Sequence, residues 1–283
     1  MAEDRVPRAS ADFKLSITRA LRDQLHDALV GLTPVSLAAN HLKGLESLPG
    51  VYELYLRDQS GQFERVYVGK ASRSLPKRLE QHRRKLSGRT NISINDVGFK
   101  CLYVDEDMES SAPEKMLIKK YKAEKGVPWN TNGFGNKDPG GNRDKTLVKE
   151  NHFDAVYPIN LDFEVDSLSV GSYAVKDYLA AIKKKLPFNL RFERDNTDLK
   201  NTIIELSRKN ATARELILGS VAALPEGWQV TVLPGYVILY FGKDEDYGSA
   251  RFFWRKESGK VYEKDGPHLL AAEGDVEEEL ETE

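Results

Sequence analysis

Phe13, Ile17, Leu21, Leu25 and Leu29 recur at steps of four and predict an amphipathic helix over residues 13–31, closed by Gly31 and Pro34. A shorter helical pattern covers 36–46 and stops at Pro49 and Gly50. The period then changes to two. In "GVYELYLRDQSGQFERVYVGKA" (50–71), Tyr52, Leu54 and Leu56 fall on one face, with Val51, Glu53 and Tyr55 on the other. "RDQSGQ" is the turn of a hairpin whose second strand sets Val66 and Val68 against Arg65, Tyr67 and Gly69. Ser74 and Pro76 open a helix that runs to about Ser87. Leu75, Leu79 and Leu86 form its apolar stripe, His82 lies at the edge of that stripe, and Arg78 lies just beyond. "DVGFKCLYVDE" (96–106) reads as a strand, and Ser111 and Pro113 start a helix over 112–125 with Leu117, Ile118 and Tyr121 inward. The order is β-β-α-β-α.

"WNTNGFGNKDPGGNRDK" (129–145) is too irregular for an element, and a polar loop of that length inside a domain is usually functional or disordered. A helix over 172–186, a strand in "FNLRFER", helical segments over 197–224 and three or four strands in "GWQVTVLPGYVILYFG" and "ARFFWRKESGKVYEK" follow. The aromatics of this last unit, Trp228, Tyr236, Tyr240, Phe252, Phe253 and Trp254, make either a binding surface or a β-core. The expected fold class is α+β: a small antiparallel sheet with a β-β-α-β-α core, N-terminal helices, and a C-terminal extension of helices and strands. The expected organisation is a helical arm at 1–48, a central domain at 49–195, an extension of open role at 196–272, and a disordered acidic tail at 273–283.

Charge sharpens this reading. The 283-residue chain carries a formal −2, but residues 273–283 hold seven acids and no base, so the remainder carries +5. Residues 65–89 hold nine Lys or Arg and one Glu, a basic patch of the kind nucleic-acid binders carry. The single Cys101 allows no intrachain disulfide and no Cys-rich zinc module. No apolar run approaches the ~18 residues of a membrane span, and no secretory signal is visible. A cytoplasmic protein with no membrane partner is expected.

Four pieces line up: "GVY" at 50–52, "YVG" at 67–69, Arg78 and His82 four apart on the next helix, and Glu114 in the first turn of the helix after the third strand. Each alone has a plain explanation, since strand tyrosines usually pack and a first-turn Glu suits the helix dipole. Together, in this order, they resemble the GIY-YIG nuclease superfamily over residues 50–130, with Val51 and Val68 where the motifs have Ile. The N-terminal helix, the "NTNGFGNKDPGGNRD" loop and "YLAAIKKKLPFNLRFE" are similar to the Type II restriction endonucleases of that superfamily that cut the palindrome CCGCGG, which extends the likeness to 13–195. Residues 196–283 have no counterpart in it.

The resemblance implies hydrolysis of a DNA phosphodiester. Glu114 would hold Mg2+ (or Mn2+), which takes one or two carboxylates plus phosphate oxygens and waters. Arg78 would contact the scissile phosphate, and His82 would donate a hydrogen bond or relay a proton. Tyr52 matches the position that orients or deprotonates the attacking water, and Tyr67 would bind the phosphate or the water. A phenol of pKa ~10 needs a nearby cation to act as a base; Lys70 is the expected one, and whether a tyrosine or Lys70 is the base stays open. The small glycines would let the DNA backbone approach the sheet, and Asn130 would close the site. Asn136, Lys137, Asn142 and Arg143 would read bases; Arg73, Lys77, Arg83, Arg84 and Lys85 would touch phosphates. A palindromic target implies a homodimer, and a restriction enzyme implies a DNA methyltransferase acting on the same site. The alternatives are a homing or repair nuclease on the same core, and an inactive DNA-binding regulator. Asp198-Leu199-Lys200 offers only a fragment of a PD-(D/E)xK motif.

Overall fold

A computed structural model describes residues 17–104, 111–123, 126–135, 140–141, 144–242 and 247–272, with side chains at all of them except 17–19, 111–114, 116 and 123. The predicted helix start at Phe13 and the acidic tail lie outside the described residues. The first unit runs α1 (Ile17–Val30), β1 (Val35–Ser36), α2 (Ala39–Lys43), β2 (Gly50–Arg57), β3 (Phe63–Ala71), α3 (Leu75–Ser87), β4 (Val97–Tyr103) and α4 (Ser111–Ala123). Its sheet has the order β1-β4-β2-β3, and every pairing is antiparallel. The helix expected over 36–46 is shorter because Val35 and Ser36 pair instead with Phe99 and Gly98.

A core covers each face of the sheet. Tyr52, Leu54 and Tyr67 pack with Leu75, Leu79 and Leu86 of α3. Val51 and Val68 pack with Leu29 of α1 and with Leu117 and Tyr121 of α4. The register slips between Leu54, opposite Tyr67, and Tyr55, opposite Arg65. This bulge leaves Val66 as an extra residue and turns it into the α3-side core beside Tyr67, not onto the face of Val68 as strict alternation predicted. On the α4 side Glu53 is buried. It accepts from the Tyr55 hydroxyl and pairs with Arg65 at 3.4 Å, whose guanidinium lies 3.3 Å from the Tyr121 ring centroid.

The chain continues through β5 (Val148–Lys149) and α5 (Phe153–Val156), whose Phe153 joins the α3-side core, and then builds a second unit: β6 (Glu164–Val165), β7 (Gly171–Ala174), α6 (Val175–Lys185), β8 (Asn189–Phe192), α7 (Thr197–Asn201), β9 (Ile203–Leu206), β10 (Ala211–Thr212), α8 (Ala213–Ala223), β11 (Trp228–Val232), β12 (Tyr236–Phe241), β13 (Phe252–Glu257), β14 (Lys260–Asp265) and β15 (Leu270–Ala271). Its main sheet is β14-β13-β11-β12-β8, with β8 parallel to β12. The core of this unit runs from Ile159 to Trp254, so the extension expected to begin at 196 recruits residues from about 159 onward. The expected run of helix over 197–224 is interrupted by β9, which pairs with β7, and by β10, which pairs with β6. Trp228, Phe253 and Trp254 are fully buried, which makes them core; Tyr236 and Tyr240 are half-buried.

Helix α3 bridges the two units. Ser74 caps its N-terminus by accepting from the Lys77 amide, with Pro76 in the first turn. Its other end is tied down by polar contacts. Arg84 donates to the carbonyls of Lys184 and Leu186, the open end of α6. Arg89 pairs with Asp154 at 2.7 Å. Lys85 donates to the Phe134 carbonyl at 2.7 Å and sits about 5 Å from the Phe134 and Phe153 ring centroids. Lys85 is therefore spent inside the protein, Arg84 is exposed but engaged with the end of α6, and Arg83 forks onto Glu80 at 2.6 Å. The three consecutive bases therefore do not share one surface: Lys85 turns inward, while Arg83 and Arg84 hold partners within the protein.

Burial pushes the Lys85 ammonium down to about 8; Asp154 opposes this, and Arg89 and Arg78 reinforce it. Between pH 8 and the ordinary 10.5 the unfolded chain keeps a proton the folded chain has lost, so this group adds stability as pH rises. Relative to Lys85→Met, the wild-type unfolding free energy should gain about 3 kcal/mol between pH 7 and 10.5 in urea denaturation. A constant difference would show that Lys85 is not buried charged. A chain ending at residue 195 keeps β8 but loses β12, baring Leu190, and should aggregate or be cut by protease within 159–195. A soluble, resistant fragment would count against the boundary at 159.

Candidate active site

His82 takes the third place in the α3 series Leu75, Leu79, His82, Leu86 and is buried with the leucines, not left at their edge. Its Nε2 lies 2.7 Å from the Tyr52 hydroxyl. Arg78, one turn earlier and half-buried, donates from Nε to the same hydroxyl at 3.2 Å. A guanidinium only donates, so the Tyr52 oxygen accepts from Arg78, while the direction of the bond between Tyr52 and His82 is set by the imidazole tautomer. Burial, then the charges of Arg78 and Lys85, hold the His82 pKa well below 6.5, so the ring is neutral and can accept. Burial works against the Arg78 charge, but the Tyr52 and Tyr67 hydroxyls outweigh it and raise its pKa above the usual arginine value.

Tyr67 joins this group. Its ring centroid is 6.1 Å from that of Tyr52 and 5.5 Å from that of His82. Phe134 closes the cluster, stacked on His82 at 5.0 Å and edge-on to Tyr67 at 5.1 Å. Phe134 was not expected among the site residues; its one sequence signal is a lone aromatic in a run of Asn and Gly. Gln81 accepts from Arg78 Nη1 at 3.1 Å and was likewise missed.

The glycines serve this packing. A Cβ at Gly69 would overlap the Tyr52 hydroxyl and the Tyr67 ring, and one at Gly50 would strike the Leu102 carbonyl and Leu75. They admit the protein's own side chains, not a DNA backbone as expected. Tyr52 is 0% and Tyr67 6% exposed, so neither phenol is open to solvent and Arg78 is the outward member of the group.

Lys70 is not brought to the phenols. Gly69 and Ala71 face α3, so Lys70 between them, opposite Val51, starts from the α4 face. Arg78 is the cation at Tyr52. The first turn of α4 carries Glu114, whose side chain lies outside the described residues. Asn130 sits at the edge of β3, the outer strand, accepting from the Val68 amide at 2.9 Å and donating to the Val68 carbonyl at 2.8 Å. It caps the sheet edge as a strand partner would. Arg73 and Lys77 are exposed. Asn136, Lys137, Asn142 and Arg143 lie outside the described residues. The described residues hold no group of three or more His, Cys, Asp or Glu able to bind a metal, and none of their helices is long and apolar enough to cross a membrane.

Residues 57–160 match the family model described as the Eco29kI GIY-YIG domain, a stretch that takes in Tyr67, Arg78, His82, Glu114 and Asn130 and starts just after Tyr52. No curated protein matches the chain. Over this stretch the chain is similar to a restriction-endonuclease domain, which supports a nuclease that takes DNA as substrate.

Proposed function

We propose that the protein is a Type II restriction endonuclease that hydrolyses double-stranded DNA at a GC-rich palindrome, with CCGCGG the first site to test. It would act as a homodimer in the cytoplasm, alongside a methyltransferase that protects the same site. The observation that carries this reading is the convergence of Arg78, Tyr52, His82 and Tyr67 within a stretch similar to a nuclease domain.

Arg78 acts on the scissile phosphate, where its fork stabilises the charge that builds on the oxygens. In drawing onto the phosphate it uncovers the Tyr52 hydroxyl. Tyr52 then passes its own proton to the neutral His82 and takes one from the attacking water, whose oxygen bonds to phosphorus as the bond to the leaving sugar oxygen breaks; solvent water protonates that oxygen, and Tyr67 steadies Arg78. Mg2+ or Mn2+ fits the donor set of one carboxylate, Glu114, completed by DNA phosphate oxygens and water. It would supply charge neutralisation at the phosphate. Arg73 and Lys77 touch neighbouring phosphates, and Asn136, Lys137, Asn142 and Arg143 read base edges. A DNA-binding regulator is the second reading, favoured by the full burial of Tyr52; DNA retained but uncut under Mg2+ would select it.

Plasmid incubated with the protein and Mg2+ should give a discrete fragment ladder. Tyr52→Phe should slow cleavage by about 10²–10⁴ and Arg78→Ala by about 10²–10³. Wild-type rate in Glu114→Gln would remove the metal role from that residue. A second expectation concerns pH. Protonating His82 removes the acceptor for the Tyr52 proton, and its pKa is depressed below 6.5. The acid limb of kcat/KM should therefore lie below pH 6.5 and move upward in Lys85→Met. A wild-type limb at or above 6.5 would argue against a neutral His82.

A further inference from the structure

The outer face of α3 and the last turn of α6 form one basic surface. Lys77, Gln81 and Arg84 fall at steps of four and three on α3 and are all exposed, a stripe that runs beside half-buried Arg78. Arg78 donates to Gln81 across it at 3.1 Å. From Arg78 to Arg84 is about 9 Å along the helix axis. At Arg84 the stripe passes to the second unit, because this guanidinium holds the carbonyls of Lys184 and Leu186. Lys184 and Lys185, the last two residues of α6, are exposed there. The chain carries no acid between Glu80 and Asp96, nor between Asp177 and Glu193. Glu80 itself is taken by the fork of Arg83.

Lysines that close a helix are ordinarily explained by its dipole and its open carbonyls. Here Arg84, from another helix, fills that role. The ammonium groups of Lys184 and Lys185 have no hydrogen-bond or ion-pair partner among the described residues. Like charges gathered without acids repel one another, and a polyanion laid over them removes that cost. We infer that Lys184 and Lys185 bind phosphates of duplex DNA flanking the cleavage site, with Arg84 as the positioning residue that ties α6 to α3. This rests on the nuclease reading above and gives the second unit a contact with DNA outside the catalytic group. Duplex DNA carries one charge per about 1.7 Å of its axis, so a contact starting about 9 Å beyond Arg78 meets phosphates several places from the one being cut. Such contacts add affinity and read no sequence.

The test uses the full chain as Lys184→Gln with Lys185→Gln. The control is Lys209→Gln with Lys260→Gln, two exposed lysines on the loop after β9 and at the start of β14. Each is melted to establish folding. Binding is measured over a range of salt, without divalent ion, on two duplexes: one with the site mapped for the wild type and a helical turn of DNA on each side, and one trimmed to the site. On the long duplex the slope of log affinity against log salt should fall by about one to two for the α6 pair. The control, and the α6 pair on the trimmed duplex, should keep the wild-type slope. In cleavage of the long duplex, KM should rise while kcat and the preference for the mapped site stay unchanged. An unchanged slope on the long duplex overturns the contact. An equal fall in the control also overturns it, since net charge alone then accounts for the effect, and an equal fall on the trimmed duplex overturns the flanking position. If the pair does not fold, the two single variants decide, each removing about one from the slope. A wild-type chain that neither cuts nor retains any DNA overturns the nuclease reading and this contact with it; a wild-type chain that cuts, with the slope unchanged in the α6 pair, overturns the contact alone.

Discussion

The chemistry proposed for this site depends on an imidazole that burial keeps neutral. His82 sits in the leucine stripe of α3, and burial there, with Arg78 and Lys85 nearby, keeps it neutral. A charged ring would compete with Arg78 to donate to the Tyr52 oxygen. With its proton on Nδ1, as the proposed function requires, the neutral ring accepts instead, and the bonds run from guanidinium to phenol to imidazole. Gly69 follows from the same constraint, because the Tyr52 hydroxyl reaches His82 only through the space its missing side chain leaves.

The proposed activity therefore requires α3 to be held still, and the protein does it with charge as well as apolar contact. Lys85 is kept ionisable in a poor environment because Asp154 opposes the effect of burial, and its ammonium donates to the carbonyl of Phe134, the ring stacked on His82. Arg84 binds the second unit and Arg89 binds α5. The C-terminal unit is thus continuous with the site at the far end of α3, although none of its side chains lies among the phenols.

The elements of the first unit were legible because their periodicity is strong: two in β2, near four in α3. The face of Val66 was not, because a bulge belongs to the pairing of two strands and leaves no mark on either alone. Arg83, Arg84 and Lys85 looked alike as consecutive bases, yet successive helix positions turn by 100°, so one meets Glu80, one the end of α6 and one the core. The boundary at 196 failed for a related reason: the partner of β8 is β12, and a parallel pairing between distant segments has no local signal. Tyr52, Tyr67, Arg78 and His82 were legible only as a set, since each alone is an ordinary core or surface residue.

The sheet divides the remaining site residues, and that division has a consequence for how the site is completed. The phenols, Arg78 and His82 lie on the α3 face, while Lys70 and the helix that bears Glu114 belong to the α4 face. A phosphate in reach of both can lie only past the outer strand, β3, or past the ends of the strands, because β2 and β4 close the interior. The chain after α4 crosses that outer edge, from Val127 in the α4-side core to Trp129 in the α3-side core. Asn130 satisfies Val68 at the crossing. Asn130 thus stands where a further strand would pair with β3, while the next residue, Gly69, pairs inward with Tyr52 of β2. Under the proposed nuclease function, a phosphate that met both faces past this edge would therefore lie beside Asn130, whose amide holds the chain between the two cores where it crosses.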